Sequence, residues 1–195
     1  MIIFAGLLAY LLGSIPFGYL TSKYLWGVDI TKQGSGNIGA TNVYRNLGSY
    51  PGAITALGDV GKGMLAVYSG SVLAGERGAL VASFLVVIGH AYSIFLRLKG
   101  GKIVATTFGV LLMTSFKVTL VVFIIWLVVM LVSRYVSLGS IICGFSIPLV
   151  MYIFNLKPSY IYLGIFLALL IFYRHKDNVQ RLFAGTENKI GTRKR

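Results

Sequence analysis

Charged residues divide the chain into seven largely neutral stretches: 1–22, 46–75, 78–96, 103–116, 118–133, 135–156 and 158–173. Only 46–75 is interrupted, by Asp59 and Lys62. A helix spans a bilayer with about 20 apolar residues, fewer where neighbours or local thinning help. The stretches do not alternate apolar with polar residues, which argues against a β-barrel. The pattern therefore predicts an all-α integral membrane protein with seven transmembrane helices. The first stretch opens Met1-Ile2-Ile3-Phe4 with no basic leader, so it reads as a retained helix, not a cleaved signal. Pro16 should break that helix.

Lys117 sets the helix count. Residues 103–133 read as one tilted helix with a lysine inside it, or as two short helices that turn there. Seven helices with a cytoplasmic C-terminus place Lys23, Lys32, Arg45, Arg97, Lys99, Lys102, Arg134 and the basic tail inside. Arg77, Lys117 and Lys157 are then left outside. Merging the two helices flips every earlier loop to the other side. The positive-inside rule prefers seven, with the N-terminus outside and the C-terminus cytoplasmic. The expected organisation is one domain over 1–195, with 174–195 a basic interfacial tail.

Composition agrees with this pattern. Of 195 residues, 56% are hydrophobic and 12% charged, which excludes a soluble globular domain and a disordered chain. A net charge of +13 would suggest nucleic acid in a soluble protein. Here it fits basic loops facing anionic lipid, and no nucleic-acid partner is expected. The lone Cys143 forms no intrachain disulfide. It lies in an apolar stretch with no base nearby in sequence, so it is not read as a nucleophile.

Three predicted cytoplasmic segments carry candidate chemistry. The first is Gly34-Ser35-Gly36-Asn37-Ile38-Gly39-Ala40-Thr41-Asn42-Val43-Tyr44-Arg45. It reads as a mobile loop rich in exposed N–H donors, a nest able to cradle an anion. If a helix follows, Thr41 and Arg45 share a face, and the guanidinium suits a phosphate. The second, Lys99-Gly100-Gly101-Lys102-Ile103-Val104-Ala105-Thr106-Thr107-Phe108-Gly109, sets two lysines around a glycine pair before a helix. Helix amides favour an anion there, but Walker A spacing is absent, so ATP is not implied. The third is the tail from Arg174 to Lys189. Val179, Leu182 and Phe183 are spaced for a short interfacial helix. His175 and Asn178 share its face, and Glu187 can neutralise a cation. Each segment also has a plain structural reading: a packed connector, a basic turn and an anchor tail. Acidic residues are too few for a carboxylate-held metal, so phosphate held by Arg, Lys and amides is expected, with no metal and no cofactor. Asp59 with Lys62 reads as a structural ion pair at least as readily as a functional one. His90 reads as a hydrogen-bonded structural histidine.

These segments resemble three motifs of the bacterial integral-membrane acyl-phosphate:glycerol-3-phosphate acyltransferases, the PlsY family. The resemblance extends to Gly13-Ser14-Ile15-Pro16-Phe17-Gly18, Asp59-Val60-Gly61-Lys62-Gly63 and Gly89-His90. One departure is Ile103, where the family usually has glycine, which bears on the flexibility of that loop. The resemblance implies a fatty acyl phosphate donor and a glycerol 3-phosphate acceptor, giving lysophosphatidic acid and phosphate. It places catalytic roles on Ser35, Arg45, His175 and Asn178. Substrate contacts fall on Gly36, Asn37, Thr41, Lys99, Gly100, Gly101, Lys102, Thr106 and Glu187. A bacterial plasma-membrane location with a cytoplasmic site, contact with membrane lipids and no required protein partner go with it. The residues agree: there is no nucleophile elbow, so direct attack by the acceptor's 1-hydroxyl is favoured over an acyl-enzyme. The base is His175 or the acceptor's own phosphate. The rival reading is a transporter of an anionic phosphorylated solute, for which the intramembrane Asp59 and Lys62 and the broken first helix would be suited.

Overall fold

The structure, a computed structural model, describes residues 1–191. The end of the predicted tail, 192–195, lies outside the described residues. Among these the fold is all helical, and each of the seven neutral stretches carries a helix. The chain forms two compact units, Met1–Thr114 and the part from Ser115 onward.

In the first unit, helix α1 (Ile2–Ser14) ends at Pro16 and α2 (Phe17–Leu20) resumes after it. Proline has no N–H for the Leu12 carbonyl and clashes with the preceding turn, so the helix breaks and its last carbonyls find other donors: Ile15 N for Leu12 and Phe17 N for Ile15, both at 3.2 Å. The carbonyls at the break also accept from elsewhere in the chain. Ser93 Oγ donates to the Ser14 carbonyl at 2.5 Å, and Lys62 Nζ to the Ile15 carbonyl at 2.7 Å. After a π turn at Thr21–Leu25 and a short helical turn at Ile30–Lys32 comes α3 (Ala40–Leu47).

Helix α4 (Ser49–Ala91) has 43 residues. Straight, it would run about 65 Å, twice the hydrocarbon thickness. It is not straight: Ala74 (φ −149°, ψ 27°) and Gly75 (φ 61°, ψ −151°) leave the helical region. A side chain at Gly70 would press on the Gly78 carbonyl, although these residues are about 12 Å apart along a continuous helix. The chain therefore folds back at Gly75. Its first arm crosses α5 (Val104–Thr114), where a Cβ on Gly63 or Gly109 would strike the opposing backbone. Small residues permit such close crossings in membranes.

In the second unit, α6 (Phe116–Ser133) starts at Ser115, whose hydroxyl accepts from Val118 N at 3.4 Å. The expected division of 103–133 is present, placed at Ser115 instead of Lys117. Helices α7 (Val136–Ile153), α8 (Pro158–Arg174) and α9 (Lys176–Phe183) follow. Helix α6 buries only Val118, Thr119 and Val122, leaving Leu120, Phe123, Ile124, Val128, Leu131 and Val132 exposed. Such an outward apolar face belongs in lipid. Among the described residues, four helical stretches are long and apolar enough to cross a membrane: Ile2–Leu25, Ser49–Leu96, Phe116–Ser133 and Val136–Ile153. α8 and α9, bent by 60°, make a fifth if counted as one span.

Candidate active site

The sequence-predicted residues fall into two groups, one in each unit. In the first, Asp29 begins the local order. Its Oδ1 accepts from Thr31 N at 3.1 Å and Thr31 Oγ1 at 2.6 Å, capping the turn that buries Ile30. The Thr31 hydroxyl holds the Asp29 carboxyl below its ordinary range. Ile30, Ile38 and Val43 then form a small apolar cluster on which Tyr19, Leu47 and Leu96 pack. Through Leu96 this cluster links the Ser35 segment with the chain that enters the second motif.

The Ser35 loop is stitched internally, which corrects the expectation of exposed amides. Ser35 N donates to Asn42 Oδ1 (3.1 Å), Gly36 N to the Gln33 carbonyl (2.9 Å) and Gly39 N to Asn37 Oδ1 (2.8 Å). Asn42 Nδ2 donates to the carbonyls of Gln33 (3.0 Å) and Asn37 (2.9 Å). Asparagine side chains compete for loop amides, and here they take those of Ser35 and Gly39. Asn42 is the hub, a role that its place in the motif does not signal. What faces outward is side chains: Ser35 and Arg45 are exposed and Thr41 is half-buried. α3 sets Thr41 and Arg45 one turn apart, as expected.

The second motif leaves α4 through a tight passage. Gly101 N donates to the His90 carbonyl at 3.0 Å. A Cβ on Gly100 would strike the His90 and Ala91 carbonyls, and one on Gly101 the His90 ring. Lys99 is exposed and Lys102 half-buried. Thr106, expected at the substrate, is fully buried on α5, and its hydroxyl has no hydrogen-bond partner among the described residues. Ile103 sits at φ 58° and is fully buried. A β-branched residue there carries strain of about 1–3 kcal/mol, which burial of the side chain, worth about 1.5–3 kcal/mol, offsets. The loop thus adopts a glycine-like backbone without glycine.

In the second unit His175 joins α8 to α9. It is buried, with Nδ1 2.8 Å from the Ile171 carbonyl. A carbonyl only accepts, so Nδ1 carries the proton, and when the ring is neutral Nε2 carries the lone pair. Glu187 is buried and accepts from Ser137 Oγ (3.0 Å), Asn178 Nδ2 (2.8 Å) and Arg181 Nε (2.7 Å). Burial works to raise its pKa, but these donors outweigh it and hold the carboxyl below its ordinary value of 4.5. Glu187 does neutralise a cation, Arg181. It also fixes the amide of Asn178 and ties the tail to α7. Ser137 and Arg181 had no sequence signal in this role. Lys189 lies 5.4 Å from the Tyr135 ring, and Ile190 N donates to the Arg134 carbonyl at 2.8 Å, so the tail is packed and not loose. Cys143 is buried in α7. Among the described residues no cluster of His, Cys, Asp or Glu could hold a metal ion.

These features define an all-helical integral membrane protein bearing cationic and hydroxyl side chains of the kind that hold phosphate. Residues 3–185 match the glycerol-3-phosphate acyltransferase family, and the chain belongs to it. A glycerol-3-phosphate acyltransferase of Carboxydothermus hydrogenoformans is 82% identical over 194 residues, covering 100% of this chain and 99% of that protein. One of Desulforamulus reducens is 45% identical over 187 residues, covering 95% of this chain and 94% of that protein. The crystal structure of PlsY (YgiH), an integral membrane glycerol 3-phosphate acyltransferase, in its glycerol 3-phosphate form superposes with a TM-score of 0.93 at 39% identity. That match covers 98% of this chain and 96% of PlsY. The lysophosphatidic acid form superposes at 0.91.

The geometry of Glu187 sets an acid limit. Because its folded pKa is depressed, its stabilisation is present above about pH 4.5 and is lost as pH falls through the folded value. Glu187→Gln keeps acceptors for Ser137 and Asn178 but turns an amide toward Arg181. It should cost about 1.5–3 kcal/mol at neutral pH. Thermal midpoints in detergent, followed from about pH 6 to about pH 3, should fall more steeply for wild type than for Glu187→Gln. Parallel curves would deny Glu187 this role.

Proposed function

We propose that this protein transfers a fatty acyl group from an acyl phosphate to the 1-hydroxyl of sn-glycerol 3-phosphate. The acceptor oxygen forms an ester bond to the acyl carbon, and the bond from that carbon to the phosphate oxygen breaks. The products are lysophosphatidic acid and inorganic phosphate. The observation that carries this reading is likeness over nearly the whole chain to glycerol-3-phosphate acyltransferases, one of them solved in glycerol 3-phosphate and lysophosphatidic acid forms. The transporter reading loses its main support, since Asp59 is paired with Lys62 at 2.8 Å.

In this reading the exposed Ser35 hydroxyl, Arg45 and Lys102 hold the donor phosphate. Thr41, Asn37, Gly36 and the backbone of Gly100 and Gly101 complete or shape that surface, and Lys99 adds charge. Developing charge on the leaving phosphate is stabilised electrostatically. His175 and Asn178, braced by Glu187, serve the acceptor. No metal, cofactor or protein partner takes part. The chain acts as one domain over 1–195, with 174–195 at the membrane surface. It crosses a bacterial plasma membrane seven times, with the N-terminus outside and the site cytoplasmic. The distribution of basic residues supports that orientation. At 11 residues α5 covers about 16 Å, and local thinning or protein-lined backbone would complete its crossing.

Purified protein mixed with acyl phosphate and glycerol 3-phosphate should form lysophosphatidic acid, and absence of product would overturn the reading. In that assay Arg45→Lys should lose about tenfold or more in kcat/KM, because an ammonium cannot hold two phosphate oxygens at once. Kinetics equal to wild type would remove Arg45 from the site.

Two groups can take the hydroxyl proton, His175 Nε2 and the acceptor's phosphate. A fall in kcat of about a hundredfold or more in His175→Gln assigns it to the ring. A smaller fall assigns it to phosphate.

Single cysteines at Ser35 and Lys189, in a Cys143→Ala background, test the orientation. An impermeant thiol reagent should miss both in intact cells and label both in inside-out vesicles. Labelling in intact cells would reverse the topology.

A further inference from the structure

Three ionisable side chains lie buried in the first unit, away from the exposed residues assigned to substrate. Asp59, Lys62 and His90 are each no more than 3% exposed. Lys62 Nζ is 2.8 Å from Asp59 Oδ1, and His90 Nδ1 is 3.4 Å from the same oxygen. The cluster joins the two arms of α4, since Asp59 and Lys62 lie on the first and His90 on the second. Each end of it also reaches a break in regular structure. Lys62 donates to the Ile15 carbonyl at the Pro16 break, which also accepts from Phe17 N, and lies 5.8 Å from the centre of the Phe17 ring. His90 holds Gly101 through its own carbonyl, and its ring fills the space that a side chain at Gly101 would need.

An ion pair that served only to neutralise itself would need no histidine pressed against a loop. We propose that Asp59, Lys62 and His90 form a positioning device for the 99–102 loop. The Asp59 carboxylate packs against the His90 ring, and the ring and carbonyl of His90 fix the backbone of Gly100 and Gly101. The two flanking lysines are thereby presented in one arrangement. None of the three touches substrate. The proposal rests on the reading of this loop as part of the phosphate surface.

The device makes a double-mutant cycle informative. Gly101→Ala places a methyl group in the His90 ring and should raise KM for one phosphate-bearing substrate by about tenfold or more, with kcat within about threefold. His90→Ala opens that space and should raise the same KM less. The double variant should match His90→Ala alone, because the collision is gone. Multiplicative effects would overturn the proposal, as would lowered thermal midpoints with unchanged KM. Removing one charge would strand the other in the interior, so the ion pair is tested as Asp59→Leu with Lys62→Met, which leaves no lone charge. This folded variant should show the same KM increase, whereas wild-type kinetics would refute the role of the pair. Hydrogen exchange gives a readout that needs no substrate. Amides over 97–103 should exchange faster in His90→Ala and in the charge-free variant than in wild type, and unchanged exchange would overturn the device. If wild type makes no lysophosphatidic acid, the acyltransferase reading fails while the exchange result still stands or falls alone.

Discussion

A backbone carbonyl released inside hydrocarbon finds no water, so another part of the chain must supply its donor. Pro16 creates this situation at the end of α1, and Lys62 and Ser93 answer it. The lysine in turn requires Asp59, which is within reach of His90. The break at Pro16 thus gives a reason for three ionisable residues in the two arms of α4, and for a serine that follows the second arm. These contacts draw α1, both arms of α4 and the start of the second motif into one arrangement.

Around that interior the chemistry divides by accessibility. The groups suited to phosphate, Ser35, Arg45 and Lys99, are exposed. The groups that shape their surroundings, Asn42, His90 and Ile103, are buried. The second unit repeats the division in another form. His175, Asn178 and Glu187 are all buried, yet they are satisfied mainly by side chains and carbonyls a few residues away. Ser137 is a long-range partner, bonded to Glu187.

The helices could be read from the chain because a charged residue inside hydrocarbon is so unfavourable that charges mark the ends of spans. Proline's missing donor located the break in α1 in the same way. The division between α5 and α6 came two residues before Lys117, because Ser115 caps α6 and the lysine falls within its first turn. Residue types also pointed to the motifs, since glycine, arginine and lysine recur where phosphate is held. What could not be read was the choice of partners. The amides of Ser35, Gly36 and Gly39 are taken by the Asn42 side chain, the Gln33 carbonyl and the Asn37 side chain, partners that the motif does not announce. Glu187 gave no sign of Ser137, fifty residues earlier. Nor did Asp59 indicate that His90 would lie beside it once α4 folded back. Such pairings depend on which surfaces meet, and a list of residues does not contain that information.

The fold-back of α4 bears on how the protein reaches its membrane during synthesis. Asp59 and Lys62 each raise the free energy of inserting the first arm, by about 2.5–3.5 kcal/mol for a charge near the centre of a helix. His90 adds a polar group to the second arm. The cluster comes together only when the arms lie side by side, and Gly75 reverses the chain within two residues. Entry as a preformed hairpin therefore delivers the ionisable residues to lipid already paired, whereas an arm released alone from the insertion machinery would tend to stall or slip back.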